Sequence, residues 1–333
     1  MDRIAQETAL SNCEFEASAV EQAFERIRPS VTQTVVKDIS ELFPTSSVKV
    51  FCKMENLQVT GSFKLRGATN KILSLSQADA RGGVIAASNG NHGLGVAAAA
   101  KRAGIAAEVF VSEHVSPDKA LRIEQLGARI RRIGKDPLEA ELAARAASVE
   151  SGRVFISPYN DLDVMAGQGT IAVELLQQLG HVDAVLVAVG GGGLIGGIGT
   201  YLKSASPNTE TVACWPCNSP VLYESINAGQ ILEVAEQPTI SESTAGGLEP
   251  DSVTLDVCRR VIDHSVLVTE DEILSAMRLL RDRKGWLIEG AAGVAVAAFQ
   301  KEAARYRGKT VAIIICGGNV SEKVRRRLEA SGT

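Results

Sequence analysis

The sequence carries little excess charge of either sign: 35 Lys and Arg stand against 39 Asp and Glu over 333 residues, a formal net charge of -4. There is no global basic field to draw in nucleic acid or an anionic membrane, so small molecules or other proteins are the expected partners. The first thirty residues contain acids throughout and no uninterrupted apolar block. They are unlike a secretory leader or transit peptide, and a cytoplasmic location is expected. Internal repeats, low-complexity segments and a Pro/Ser/Gly linker are also missing. With 45% hydrophobic residues, a chain of this length buries one or two full cores, which excludes disorder and a disulfide-stapled miniprotein.

One uncharged run, AVLVAVGGGGLIGGIGTYL at 184–202, has roughly the length of a membrane span. Its glycines make it a poor helix, and it reads instead as a buried parallel strand entering a phosphate-type loop. The six cysteines, Cys13, Cys52, Cys214, Cys217, Cys258 and Cys316, are scattered and read as reduced, mostly buried thiols. Cys214 and Cys217 form a single CxxC after a strand-like run, the context of a redox pair, but no second CxxC or paired histidine completes a zinc site. His114, His181 and His264 have no partner spacing and read as incidental.

A short β-rich apolar run followed by an Ala-rich helical stretch recurs along the chain. Strands are expected at 48–54, 84–88, 107–111, 129–133, 154–157, 184–189, 211–214 and 311–316. The alternation predicts an α/β protein with parallel sheets flanked by helices. In such sheets ligands gather at the carboxyl ends of strands, where loops meet helix N-termini.

Three strand ends are unusual. After 48–54 comes Glu55-Asn56 and then Thr60-Gly61-Ser62-Phe63-Lys64-Leu65-Arg66-Gly67-Ala68, a lysine in a turn entering a helix. After 84–88 comes Ser88-Asn89-Gly90-Asn91-His92-Gly93, whose backbone amides at a helix N-terminus suit a carboxylate or phosphate. After 184–189 comes Gly190-Gly191-Gly192-Gly193-Leu194, whose amides can wrap a phosphate because no Cβ blocks the approach. The last loop also satisfies GxGxxG at Gly191, Gly193 and Gly196, with Glu210 near the spacing of a ribose-binding acid. An NAD-dependent oxidoreductase is therefore the rival reading, although it explains neither the lysine turn nor the Asn91 loop.

Taken together with Cys316-Gly317-Gly318-Asn319, these loops resemble the fold type II family of pyridoxal-phosphate enzymes, in the family's order and from about Glu21 to the final helix. The similarity is greatest to the serine/threonine dehydratases, the branch that also contains serine racemase. The resemblance implies a two-domain, tryptophan synthase β-like architecture. Residues 1–75 and 159–333 would form the large cofactor-binding domain, with a small domain at 80–157 inserted in it, and the protein would be a homodimer. It implies that Lys64 holds pyridoxal 5'-phosphate as a Schiff base and takes the Cα proton, and that Asn91 bonds the ring hydroxyl. Gly190, Gly191, Gly192, Gly193 and Leu194 would bind the phosphate, and Cys316 would face the pyridine nitrogen. Ser88, Asn89, Asn91 and His92 would surround the substrate carboxylate. The implied reaction is α,β-elimination from a β-hydroxy-α-amino acid such as threonine, serine or phenylserine, giving a 2-oxo acid and ammonia; racemisation is the alternative within the family.

Several positions depart from the family pattern. Cys316 replaces the serine or threonine of relatives, and a neutral thiol supplies no fixed negative charge, which favours elimination. Asn89 replaces the serine with which racemases reprotonate the opposite face, and its amide is no acid or base. Cys214-Trp215-Pro216-Cys217-Asn218 offers no carboxylate where relatives hold a divalent cation, so no metal is expected there, with Glu224 the nearest later acid. The chain stops soon after CGGN, so feedback through an appended regulatory domain is not expected. The segments 218–220, 244–250 and 289–293 look similar to hydroxyectoine-utilisation and phenylserine dehydratases. Glu289 reads either as a residue near the cofactor or as a surface carboxylate. Tyr159, Asn160 and Asp161 are candidate pocket walls, and the N-terminal thirty residues are expected to form an amphipathic helix packed on the large domain or across a dimer.

Overall fold

A computed structural model describes residues 15–44 and 47–330. Cys13 and the first half of the amphipathic N-terminal stretch lie outside the described residues. Two sheets organise the remainder, with strands β1 (Val36–Asp38), β2 (Lys49–Lys53), β3 (Val84–Ala87), β4 (Ala107–Val111), β5 (Arg129–Arg132), β6 (Val154–Phe155), β7 (Ala184–Ala188), β8 (Glu210–Pro216), β9 (His264–Val268) and β10 (Thr310–Ile314). The larger sheet has the order β1-β2-β10-β7-β8-β9 and the smaller one β5-β4-β3-β6. Every pairing is parallel except β1 with β2.

All eight expected strands are present, and β1 and β9 are additional. Both of these form sheet edges, where one half-buried and two exposed residues (β1) or a strand with three half-buried residues (β9) lack the fully buried apolar run of a central strand. β5 is the other unusual edge. Its exposed arginines protect it from pairing with another chain, and Arg131 lies over the Phe110 ring at 5.1 Å.

The expected helices start and stop on ordinary chemistry. Asp161 accepts from Val164 N to cap the helix Leu162–Leu179, so it is a cap rather than a pocket wall. Ser116-Pro117 and Asp136-Pro137 start two more helices, and Gly104, Gly152, Gly229 and Gly285 close four in the left-handed conformation. The described part of the N-terminal stretch forms the helix Ala17–Ile27, whose Val20 and Ala23 pack with Met165, Ala166 and Val257 of the same chain. The uncharged run at 184–202 becomes β7 and most of the helix Gly193–Ala205, and no described helix is long and apolar enough to cross a membrane.

The β2–β10–β7 register brings the carboxyl ends of these strands together: Val311 lies opposite both Val50 and Ala184. The Lys64 turn, the Gly190–Leu194 loop and Cys316 follow those three ends. The Ser88–Gly93 loop follows β3 of the smaller sheet and reaches the same space from the other side.

Candidate active site

The four loops line one cavity of about 1710 Å³, larger than the usual small-molecule site. Lys64 opens the helix Lys64–Ser74 and projects into this cavity, where its Nζ donates to the Pro158 carbonyl at 2.7 Å. Burial lowers the ammonium from 10.5 to about 8, with the nearby Glu289 carboxylate opposing the shift. The result is an amine that loses its proton near neutral pH, as a nucleophile or base requires.

The glycine loop is built by exclusion. A Cβ at Gly190 would lie 2.8 Å from the Thr244 backbone, one at Gly191 2.5 Å from the Tyr159 ring, and one at Gly193 2.9 Å from Tyr159 Cα. Gly192 sits at φ +87°, where its carbonyl accepts from the Cys258 thiol at 3.6 Å. Among the described residues, none of the backbone N–H groups from Gly190 to Leu194 donates to a protein acceptor. These free donors gather at the start of the helix Gly193–Ala205, a cradle suited to a phosphate. Filling it with a methyl group should cost about 1–3 kcal/mol of packing, so Gly191→Ala is expected to retain cofactor about ten- to hundredfold more weakly in equilibrium dialysis.

Asn91 stands across the cavity. Its Nδ2 donates to both Glu289 oxygens at 3.0 and 2.9 Å and to Ser243 Oγ at 3.3 Å. Glu289 is 4% exposed, so the surface reading of that residue is corrected. Its placement explains the sequence around it, since a Cβ at Gly317 would lie 2.6 Å from its carboxylate. Burial raises the Glu289 carboxyl above the ordinary range, although hydrogen bonds from Asn91 and Ser243 oppose the shift. Cys316 is buried beside these groups, and burial followed by the Glu289 charge pushes its thiol well up, so it is neutral.

The Ser88–His92 loop borders the cavity, but several of its side chains are occupied internally. Ser88 Oγ accepts from Gly90 N at 3.1 Å, and Asn89 exchanges two hydrogen bonds with Ser112, at 2.8 and 2.9 Å. His92 Nε2 bonds the Ile156 carbonyl at 2.8 Å, and burial, with the Lys64 charge added, lowers its imidazole to about 3. It is therefore a neutral ring donating through Nε2. What the loop presents to an anion is the backbone N–H array at the start of the helix Asn91–Ala103.

Tyr159 is the wall residue that reaches the cavity, with its ring on the glycine loop and its hydroxyl accepting from Glu249 N at 2.9 Å. Asn160 donates to the Glu249 carboxylate at 2.8 Å and does not line the cavity. Glu249, part of the 244–250 segment, also pairs with Arg145 at 2.6 Å. Other candidates fall elsewhere. Glu210 opens β8 at the opposite end of the sheet and pairs with Arg305, so the glycine loop has no ribose acid there. Cys214 is a core thiol raised by burial, Cys217 is exposed, and both are free. His181 pairs with Asp183 and His264 with Glu302. Among the described residues no group of three or more His, Cys, Asp or Glu could hold a metal ion.

A family model described as pyridoxal-phosphate dependent enzyme matches residues 27–317. An L-threonine ammonia-lyase of Thermotoga maritima is 36% identical over 313 residues, which is 94% of this chain and 78% of that protein. Threonine deaminase isoform 2 of Solanum lycopersicum, in its processed form, superposes with a TM-score of 0.88 at 30% identity, over 96% of this chain and 95% of that one. Maize serine racemase superposes with a TM-score of 0.87 at 28% identity, over 95% and 97%. The fold is that of a fold type II enzyme, a family with pyridoxal phosphate as cofactor. The chain belongs to the pyridoxal-phosphate dependent enzyme family, within its serine/threonine dehydratase group, and the dinucleotide reading of the glycine loop is set aside.

Proposed function

We propose that this protein dehydrates a β-hydroxy-α-amino acid of the threonine, serine or phenylserine kind, releasing a 2-oxo acid and ammonia. The observation that carries the proposal is Lys64, an amine lowered to about 8 that shares one cavity with the glycine cradle and an uncharged Cys316. Lys64 and the Gly190–Leu194 amides would hold pyridoxal phosphate, which when bound would supply the electron sink that makes a Cα proton removable. The Lys64 amine, set free when the substrate amine takes its place on the cofactor, would take that proton as general base. The start of the helix Asn91–Ala103 binds the substrate carboxylate through its backbone N–H groups. The β-hydroxyl leaves as water, and hydrolysis releases the nitrogen as ammonia. Asn89, bound at both ends of its amide to Ser112, supplies no acid to the opposite face of Cα.

Racemisation remains the alternative because of the likeness to maize serine racemase. The test is incubation of the cofactor-loaded enzyme with threonine, serine, phenylserine and hydroxyaspartate, measuring 2-oxo acid, ammonia and the chirality of recovered substrate. Equal yields of oxo acid and ammonia from an enantiopure residue pool are expected for at least one substrate. Loss of enantiopurity without oxo acid would instead identify a racemase.

We infer further that residues 1–75 and 159–333 act as a large domain around a small one at 80–157, a division supported by the two separate sheets. Homodimerisation and a cytoplasmic location complete the proposal. Sedimentation at micromolar concentration checks the dimer.

A further inference from the structure

Asn319 contacts the oxygen end of the Asn91 side chain. Asn319, the last residue of CGGN, donates through Nδ2 to Asn91 Oδ1 at 2.7 Å and to the Thr60 carbonyl at 2.9 Å. Its own Oδ1 accepts from Arg122 Nη1 at 3.0 Å. A guanidinium can only donate and a backbone carbonyl can only accept, so neither neighbour tolerates a reversed Asn319 amide. That constraint passes to Asn91, whose oxygen must face Asn319 and whose N–H groups must face Glu289 and Ser243. The backbone leaves room for this arrangement: Gly61 sits at φ +78°, and a Cβ there would lie 2.7 Å from Asn319 Oδ1.

We propose that Asn319 is a positioning residue that fixes Asn91 as a hydrogen-bond donor toward the cofactor side of the cavity, with Arg122 holding Asn319 in that orientation. The inference rests on the proposed reading of the site. If the Asn91 amide reversed, its oxygen would face the Glu289 carboxylate, setting acceptor against acceptor beside Lys64 and Cys316. The chain Arg122–Asn319–Asn91–Glu289 also links a helix beyond β4, Pro117–Gln125, to the start of the helix Gly290–Glu302. The orientation of one cavity amide thus depends on contacts from helices and loops that follow strands of both sheets.

The test uses Asn319→Asp, which keeps the shape but replaces the donor with an acceptor, and Arg122→Met, which removes the exposed anchor. Both variants, loaded with pyridoxal phosphate, are compared with wild type by cofactor dissociation constant and by pH titration of the visible band. Asn319→Asp is expected to weaken cofactor binding about tenfold, the scale of one lost hydrogen bond near a charge, and to move the titration midpoint by about one pH unit. Arg122→Met should shift both in the same direction by a smaller amount; its side chain is exposed, so it carries the test if Asn319→Asp does not fold. Cofactor affinity within twofold of wild type and an unmoved titration in a folded variant would overturn the assignment. A wild-type protein that cannot bind pyridoxal phosphate would overturn the reading of the site, and the assignment with it.

Discussion

Lys64→Ala yields a folded protein that produces 2-oxo acid at least about a thousandfold more slowly than wild type, since it has lost both the covalent attachment and the general base. The fold survives because the Lys64 side chain faces a cavity and makes one hydrogen bond, to the Pro158 carbonyl, and because alanine is a strong helix former. The apoprotein also reports its pH dependence. Lys64 is lowered from 10.5 to about 8, so the fraction of reactive amine, and with it the rate of cofactor capture, rises as pH increases through about 8. The folded protein holds this proton less tightly than the unfolded chain. The destabilisation is fully present below about pH 8 and is relieved between that value and 10.5. Apo Lys64→Ala should therefore melt no lower than apo wild type at pH 7 in a thermal scan.

The second large effect lies behind the cavity. Residues 64 and 66 of a helix point to nearly opposite sides, so Lys64 faces the site while Arg66 enters the protein interior. The Arg66 side chain is 0% exposed and meets Glu55 at 2.7 Å and Glu174 at 2.7 Å. Lys53, also 0% exposed, holds the other Glu174 oxygen at 2.6 Å. Thr34 Oγ1 donates to Glu55 at 2.5 Å. Two buried cations therefore balance two buried carboxylates. Burial alone would raise the Glu55 carboxyl, but Arg66, Lys53 and Thr34 together hold it below its ordinary value.

Arg66→Met leaves those carboxylates with one cation and several unmet hydrogen bonds. Breaking a buried pair from one side costs about 3–5 kcal/mol, and a fall in melting temperature of about 5–15 °C is expected. The exposed pair Arg326–Glu322, with side chains 76% and 68% accessible, is the control: Arg326→Met should change little, because such pairs contribute at most about 1 kcal/mol. Since the Glu55 shift is downward, its contribution is present above the ordinary carboxylate range and is lost as pH falls through the folded value. Wild type should thus melt progressively lower in acid. An Arg66→Met protein as stable as wild type would show the network to be dispensable.

The parts of the molecule legible in the sequence were those encoded locally. Central strands announced themselves as apolar runs, and the lysine turn, the Asn91 loop and the glycine loop each stood at a strand end. The arrangement among them was not legible. Lys53, Glu55, Arg66 and Glu174 meet across separations of up to 121 residues, and no local pattern marks a carboxylate that will find a buried guanidinium. The burial of Glu289 is not local either, since it depends on the space left by Gly317. In CGGN the sequence drew attention to the cysteine, whereas the structure gives the asparagine the denser hydrogen bonding. The Ser88–His92 side chains also looked more available than they are, because their partners, Ser112 and Ile156, belong to neighbouring strand ends.

The most direct test of the account is to load the protein with pyridoxal phosphate, reduce it with borohydride, digest it and locate the modified residue by mass spectrometry. One phosphopyridoxyl group per chain is expected, on Lys64, and none in Lys64→Ala. A label on another lysine, or no label on a protein that still forms 2-oxo acid, would contradict it.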